Sequence, residues 1–326
     1  MRSLAIHRRG PLRQRGVALL TAVVLVALAT IVATAIAFDT AMSVRRAGGA
    51  VAFDQALLIG QGAEGLAAYA ITEQRRQSSG TVVHGEQAWA RPIGPVEVAP
   101  GAQLSAQLED LQGRFNLNNL TDAEGKRNDA AVEVFERLLA AVGLERDWAT
   151  TVVDWIDDDV NPQPGGAEDT VYSSESPAYR TANRVITTPS ELLALKDFGA
   201  ERYAKIAPYV TALPRGSMLN VCTASGALLD ALTDEKQWAQ AADALQRNRA
   251  GKCFPKLSDF PSQFADPQQF PRISKALGME ESSSYFLLRT VATIGTSEFA
   301  LYSLLKYEGA GGTGARVRVI QRTFVE

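Results

Sequence analysis

The sequence predicts an α+β protein, in which a long amino-terminal transmembrane helix precedes an antiparallel sheet that a large all-α insertion interrupts. Three observations lead to this prediction. An unbroken apolar run of about 22 residues occupies 17–38, which is the length that crosses a bilayer core as a helix. Short stretches of alternating apolar residues occur at 95–110 and return from 285 to the end of the chain, as strands require. Between these stretches, apolar residues recur at helical spacing.

The apolar run follows a basic leader, residues 1–16, which holds five arginines and no acidic residue. The positive-inside bias keeps such a leader in the cytoplasm, so the chain after residue 38 is expected on the far side of the membrane. A secretory signal peptide has a shorter apolar core and a small-residue cleavage site, and it fits poorly. A plain membrane anchor fits the apolar length equally well.

The chain divides into a leader, a stem, a sheet in two halves and an insertion. The stem helix continues beyond the bilayer, because the apolar stripe extends to about Gln77 and no proline occurs in it. Gly48-Gly49 and Gly60-x-Gly62 are its expected weak points. The predicted regions are the leader at 1–16, the transmembrane and stem helix at 17–78, the sheet at 79–118 and 282–326, and the inserted α-domain at 119–281.

The insertion is predicted to be mostly helical. Asn128 is an expected N-cap for a helix that carries one apolar face and ends at Gly143. The string GRFNLNNL at 113–120 is interpreted as a strand entering a turn that its asparagines stabilise. Further helices are expected in the strings RDWATTVVDWID, ELLALKDF, AERYAKIAPYV, ASGALLDAL and EKQWAQAADALQRN.

An acidic loop that follows the predicted helix RDWATTVVDWID is the main candidate site. Its oxygen-bearing side chains fall at positions 1, 3, 5 and 12 of an EF-hand loop, and one carboxylate follows directly. Hard oxygen ligands at this spacing suit Ca²⁺. Pro162 stands where an EF-hand has glycine, so an irregular calcium loop is expected, with the turn moved to Gly165-Gly166. A solvated acidic cluster without metal is the alternative. The candidate ligands are Asp157, Asp159, Asn161, Glu168 and Asp169.

The chain has two cysteines, Cys222 and Cys253, and both follow the membrane segment. In an oxidising compartment an even pair usually forms a bridge, which here would close a loop of about 30 residues. Two separate buried thiols are the alternative. No CxxC spacing indicates redox catalysis.

Enzymatic and nucleic-acid functions are disfavoured. The only histidines are His7, in the leader, and His84, in an expected exposed turn, and no hydrolase, zinc-protease or P-loop motif occurs. The formal charge of −3 becomes −8 without the five arginines of the leader, which argues against a nucleic-acid binder. The stretch from LKDFGAERYAKIAPYV to LNVCTAS resembles the helix-hairpin-helix of DNA-uptake receptors, but it lacks the closely spaced glycines and basic residues that contact phosphates.

The junction of leader and apolar run resembles the class III leader of type IV pilins and type II secretion pseudopilins. In that class a prepilin peptidase cuts after a glycine, here Gly16, and the new first residue, here Val17, is methylated. Such chains usually have Glu at the fifth mature position, where this chain has Thr21. The glutamate is thought to neutralise a neighbour's amino terminus inside the apolar filament, where an unpaired charge is costly. A subunit with Thr21 therefore fits best at a filament end.

Several longer strings resemble one such family, the minor pseudopilin K family (GspK) of the type II secretion system. This family lacks the glutamate and has a large α-domain inserted into a pilin-like sheet. The resemblance covers nearly the whole chain. The strings are GRFNLNNL, DWIDDDVNPQPGGAEDTVY, PAYRTANR, SELLALKDF and PYVTALP.

The resemblance implies a non-enzymatic subunit of the inner membrane, with its amino terminus cytoplasmic and its large domain periplasmic. Such a subunit initiates assembly at the pseudopilus tip and limits filament growth, in support of the export of folded proteins across the outer membrane. The implied partners are the minor pseudopilins I and J, then H, and the major pseudopilin G, and the implied cofactor is calcium. A type IV pilus tip component and a plain membrane-anchored periplasmic binding protein are the alternatives.

Overall fold

The computed structural model describes residues 15–77, 82–309 and 315–324. Contacts between residues divide the chain after Ala56 into two compact units. Helix α1, Arg15–Gln77, begins in the first unit and ends in the second. It is continuous through the glycine pairs that were expected to weaken it.

The first unit contains the apolar part of α1. Its large side chains from Val17 to Phe38 are exposed, and α1 is the one helix in the described chain that is long and apolar enough to cross a membrane. The hydroxyls of Thr30 and Thr34 donate to backbone carbonyls one turn earlier, both at 2.8 Å. These polar groups are therefore satisfied within the helix, as a bilayer requires.

The second unit contains the remaining elements. Its helices after α1 are α2 (Asp129–Ala141), α3 (Trp148–Ile156), α4 (Asp169–Tyr172), α5 (Gly199–Ile206), α6 (Gly226–Thr233), α7 (Ala242–Arg249) and α8 (Gln269–Leu277). Its strands are β1 (Ile93–Ala99), β2 (Ala102–Asp110), β3 (Phe115–Asn116), β4 (Val210–Thr211), β5 (Leu219–Asn220), β6 (Met279–Glu280), β7 (Tyr285–Ile294), β8 (Ser297–Glu308) and β9 (Arg316–Thr323).

The five longest strands form one antiparallel sheet in the order β1-β2-β7-β8-β9. The two strands before the helical region join the three after it through β2 and β7, whose register runs without a break from Ala102 opposite Ile294 to Asp110 opposite Phe286. Leu104 and Leu108 of β2 are buried on one side, as the alternation predicts. The predicted fold class, with a sheet split by a helical insertion, is confirmed.

The part of α1 after residue 57 packs on one face of this sheet. Apolar side chains on both elements form a shared core, which includes Ala63, Ala67, Ile71, Leu104, Leu108, Phe286, Leu288, Leu305 and Tyr307. Gly60 permits the close approach, because a Cβ atom there would lie 2.6 Å from Cδ2 of Leu301. The glycine expected to weaken the helix instead lets it approach the sheet closely.

An ion pair with a buried carboxylate links the last strand to the stem. Glu64 is 5% exposed and accepts two hydrogen bonds from Arg322 of β9, at 2.7 and 2.8 Å, and one from Ser303 of β8 at 2.6 Å. Burial raises the pKa of Glu64, but these hydrogen bonds outweigh it and hold the pKa below its usual value. Bidentate geometry and burial make this a stronger contact than a surface pair.

The helical insertion has its own core, to which α2 contributes most. The Asn128 side chain accepts a hydrogen bond from the Ala131 amide and so caps α2 as predicted. Phe135 of α2 stacks on Phe115 at a ring separation of 5.2 Å. Phe115 and Leu117 were assigned to the sheet half at 79–118, but both belong to the helical core. The helical region therefore begins before residue 119.

Two helices predicted in the insertion differ from those observed. Pro189–Ala194 forms a 3-10 helix, and the chain then turns through Asp197 and Gly199, which have positive φ values of 62° and 71°. Helix α7 begins only at Ala242, because the carboxylate of Asp230 accepts hydrogen bonds from three consecutive amides, those of Gln237, Trp238 and Ala239. These bonds hold the start of the predicted helix as a turn. Helices α4 and α8 were not predicted.

The two cysteines form a disulfide in the structure, with Cα atoms 4.7 Å apart. Cys222 lies two residues after β5, and Cys253 lies four residues after α7. Both are buried, with 1% and 7% of their surface exposed. The bond therefore links the segment that follows α7 to the segment that follows β5.

Candidate metal centre

The acidic loop joins the end of α3 to the start of α4. Apolar residues of α3, including Val152, Val153 and Ile156, are buried in the helical core, which places the carboxylates of Asp154 and Asp157 at the loop. The helix ends at Ile156, and the backbone of the next residue, Asp157, is extended. The loop returns toward α3 because the amide of Gln163 donates to the Asp154 carboxylate at 3.1 Å.

Glycines make this tight return possible, as predicted. Gly165 has a φ of +86°, which a side chain disfavours. A Cβ atom at Gly166 would lie 1.9 Å from Oδ2 of Asp154, so no side chain fits at that position. The loop thus turns at Gly165-Gly166. Pro162 stands at the earlier position where an EF-hand has its glycine.

Three of the five candidate ligands come together. Asp157, Asp159 and Glu168 each offer a carboxylate oxygen, and these oxygens all lie within 4.8 Å of one another. Asp157 is 4% exposed and Glu168 is 1% exposed, whereas Asp159 is open to solvent. Among the described residues, Oδ1 of Asp157 and Oε1 of Glu168 have no hydrogen-bond partner. Buried oxygens without a donor are costly, and a cation would satisfy them.

The other two candidates make contacts of their own. Asn161 is exposed, and its backbone N–H donates a hydrogen bond to Oδ1 of Asp159 at 2.7 Å. Oδ1 of Asp169 accepts hydrogen bonds from the backbone and hydroxyl of Thr181, at 3.0 and 2.9 Å. The Asp169 carboxylate is not one of the three that come together, and the assignment of Asn161 and Asp169 as ligands remains a prediction.

Two further side chains near the loop carry unpaired oxygens that the spacing argument did not include. Asp154 is fully buried, and its Oδ1 has no partner within the described chain. Asn183 donates to the carbonyl of Asp159 at 2.6 Å, while its own Oδ1 is buried and unpaired. Asp154 lies before the EF-hand-like window, and Asn183 is far beyond it in sequence, so loop spacing could not identify either.

The electrostatics of the loop favour a bound cation. Burial is the main cause that raises the pKa of Asp154 to about 7, and the charges of Asp157 and Glu168 add to it. Burial and the charges of Asp159 and Glu168 raise the pKa of Asp157 to about 6. Burial also raises the pKa of Glu168. Without a cation, the ionised forms of these three carboxylates are disfavoured relative to free carboxylates in water.

The donor set fits a hard divalent cation. It consists of oxygen atoms alone, with the buried carboxylates of Asp157 and Glu168 beside the exposed Asp159, and calcium prefers such ligands. The buried ring of Trp155 packs against Tyr172 at a ring separation of 5.2 Å next to this loop. The loop therefore has rigid support on its inner side.

Together these features define a class of protein. One long helix is apolar in its first part and packs on an antiparallel sheet in its last part, and a large helical insertion with an acidic loop separates the halves of that sheet. This is a pilin-like subunit with an inserted α-domain and one helix compatible with a single-pass membrane anchor.

Comparisons with known proteins identify the family. The family model for the type II secretion system (T2SS) protein K matches residues 113–215. The type II secretion system protein K of Pseudomonas aeruginosa is 35% identical, over 97% of this chain and 93% of that protein. The protein of the same name from Klebsiella pneumoniae is 32% identical, over 91% of this chain and 94% of that protein. The chain belongs to the type II secretion system protein K family, a family of structural pseudopilins.

A solved structure supports this family assignment. A chain in the crystal structure of the GspK-GspI-GspJ complex from enterotoxigenic Escherichia coli matches with a TM-score of 0.70 and 27% sequence identity. The match covers 84% of this chain and 97% of that chain. The similarity therefore includes the inserted domain as well as the sheet.

Proposed function

We propose that the chain is the tip subunit of the pseudopilus, where it initiates assembly and limits filament growth. The main support for this proposal is the similarity to protein K over nearly the full length, together with the large insertion in the sheet. In this role the chain is anchored in the inner membrane by 17–38, with its amino terminus in the cytoplasm and its large domain in the periplasm. It supports export of folded proteins across the outer membrane.

Thr21 is the residue that supports a terminal position. Its hydroxyl donates to the carbonyl of Ala18 at 3.0 Å within α1, so it is satisfied locally and carries no charge. A subunit docking above would bring a positively charged amino terminus into the apolar bundle, where an unpaired ammonium is costly. This chain offers no carboxylate at position 21 to compensate that charge.

The proposed partners follow from the structural relative, which was crystallised as a GspK-GspI-GspJ complex. We place minor pseudopilins I and J beside this chain, H below them and the major pseudopilin G along the shaft. The contacts are proposed to form between apolar stem helices, since the apolar face of α1 is exposed from Val17 to Phe38. The role is assembly and involves no catalysis.

Calcium is the proposed cofactor, and its role is structural. Asp157, Asp159 and Glu168 would hold it, with Asn161 and Asp169 as the further predicted ligands. Bound there, the ion supplies positive charge that compensates the clustered carboxylates. Because Asp157 directly follows α3 and Glu168 directly precedes α4, an ion held by both residues would fix the two ends of the loop to one another.

Processing of the leader distinguishes this proposal from a plain anchor. In the native host, protein extracted from membranes should begin with N-methylated Val17, because prepilin peptidase would cut after Gly16. Mass spectrometry of the amino-terminal peptide makes the measurement. A Gly16→Leu variant is the matched control and should retain its leader. An intact Met1 in the wild-type protein would contradict the pseudopilin role and favour the simple anchor.

A further inference from the structure

Strand β9 forms one edge of the sheet. Its hydrogen-bonded neighbour is β8, and no other strand of the described chain pairs with it. An edge strand offers backbone donors and acceptors to an extended segment of another chain. Ile320 lies at a register shift in the β8–β9 pairing and is 45% exposed, so it divides β9 into two halves.

The carboxyl-terminal half of β9 borders an apolar groove. Gln321 and Thr323 line a cavity of about 460 Å³ between the sheet and the insertion. Leu287, Tyr302 and Leu304 supply its sheet side, on the face opposite the stem, and Ala204, Ala207 and Pro208 supply its helical side. Alternate side chains of an added strand would point into this groove.

The amino-terminal half of β9 is basic on the same face. In register, Leu304 lies opposite Gln321, Lys306 opposite Arg318 and Glu308 opposite Arg316, so these residues follow the groove along one side of the sheet. Glu308 is the shared ion-pair partner of Lys306, Arg318 and Arg316, at 3.9, 3.7 and 3.3 Å. Three cations that share one carboxylate leave a net positive charge at this end.

We propose that an extended, acidic segment of a partner protein adds to the edge of β9. Its apolar residues would enter the groove beside Leu304, and its carboxylates would meet Arg316 and Arg318. Charge complementarity selects this occupant. Basic residues on an edge strand discourage pairing with neutral or basic strands, whereas carboxylates are attracted to them. This inference is independent of the position of the chain in a filament.

Labelled peptides test the proposal with the full-length protein in detergent. The probes match the eight residues of β9 in length and carry valine and leucine in one half and glutamate in the other, in both sequence orders. One of the two orders should bind, and added salt should weaken it. A peptide with lysine in place of glutamate should bind about tenfold more weakly or not at all. Fluorescence anisotropy gives the affinities, and hydrogen exchange should show new protection of β9 amides.

Substitutions in the apolar groove and at the basic end of β9 test where the peptide binds. Ala204→Trp should fill the groove from α5, and the double variant Arg316→Glu, Arg318→Glu should reverse the basic end, so each should weaken binding about tenfold. Arg146→Glu, at an exposed position of the insertion, is the matched control and should bind as wild type. The proposal fails if neither acidic peptide binds, if the lysine peptide binds equally well, or if both site variants bind normally. Dimerisation through β9 in place of peptide binding would also overturn it.

Discussion

Removal of calcium from the full-length protein is expected to lower its melting temperature by roughly 10 °C, which corresponds to about 4 kcal/mol when calcium exceeds its dissociation constant about a thousandfold. The physical reason is the crowding of Asp157, Asp159 and Glu168, whose carboxylate oxygens lie within 4.8 Å of one another. Without the cation, two of these groups are buried without a hydrogen-bond donor for one oxygen each. Differential scanning fluorimetry with calcium and with a calcium-selective chelator makes the measurement.

A neutral variant separates calcium binding from other effects of the chelator. Glu168→Gln keeps the shape of the side chain and removes its charge, so its melting temperature should be the same with and without calcium. Glu124→Gln, at an exposed position in a neighbouring loop, is the matched control and should respond as wild type. Equal melting temperatures of the wild-type protein with and without calcium would contradict the site.

The same measurement should depend on pH. The pKa values of Asp154 and Asp157 are raised in the folded protein to about 7 and about 6, above an unfolded value of about 4. The folded calcium-free protein therefore binds more protons than the unfolded chain between about pH 4 and 7, and its stability falls as pH rises through this window. The effect of the chelator should be small at pH 5 and large at pH 7.5. An equal effect at both values would count against these carboxylates as the ligands.

Loss of the disulfide has the second large expected effect. Replacing both Cys222 and Cys253 with alanine should lower the free energy of unfolding by about 3.5 kcal/mol, because the unfolded chain loses a cross-link that closes a loop of about 30 residues. Chemical denaturation with calcium present measures the difference. Both cysteines are buried, and alanine avoids placing a polar group there.

Reduction provides the control for the alanine variant. A reducing agent should lower the stability of the wild-type protein by a similar amount and leave the double alanine variant unchanged. Hydrogen exchange should show the largest loss of protection after α7, where Cys253 is bonded to Cys222. A double variant as stable as wild type would show that the bond does not restrict the unfolded chain as proposed.

Local patterns in the sequence predicted much of the fold. The N-cap at Asn128 and the apolar face of α2 are short-range signals, and both appear in the structure. The alternation of Leu104 and Leu108 identified β2 for the same reason. The failures involve side-chain contacts between different elements. Phe115 joined the helical core by stacking on Phe135, and the carboxylate of Asp230 delayed the start of α7, neither of which spacing along the chain reveals.

At the candidate metal site, too, the sequence predicted the short-range features and missed the contacts between distant residues. Asp157, Asp159 and Glu168 follow from ligand spacing within one loop, and the structure brings them together. Asp169 was oriented instead by hydrogen bonds from Thr181, a residue with no signal in the ligand pattern. Asn183 reaches the loop only through the tertiary fold. A spacing rule therefore identifies the loop, while the surrounding structure determines which side chains face its centre.

The position of the chain within an assembled filament tests the tip proposal most directly. Full-length protein carrying a gold label would be assembled with pseudopilins I, J, H and G and imaged by electron microscopy. The proposal predicts one label at one end of each filament, with shorter and more numerous filaments as more labelled chain is supplied. Labels repeated along the shaft of wild-type filaments would show that Thr21 does not prevent addition above this subunit, and would contradict the proposed role.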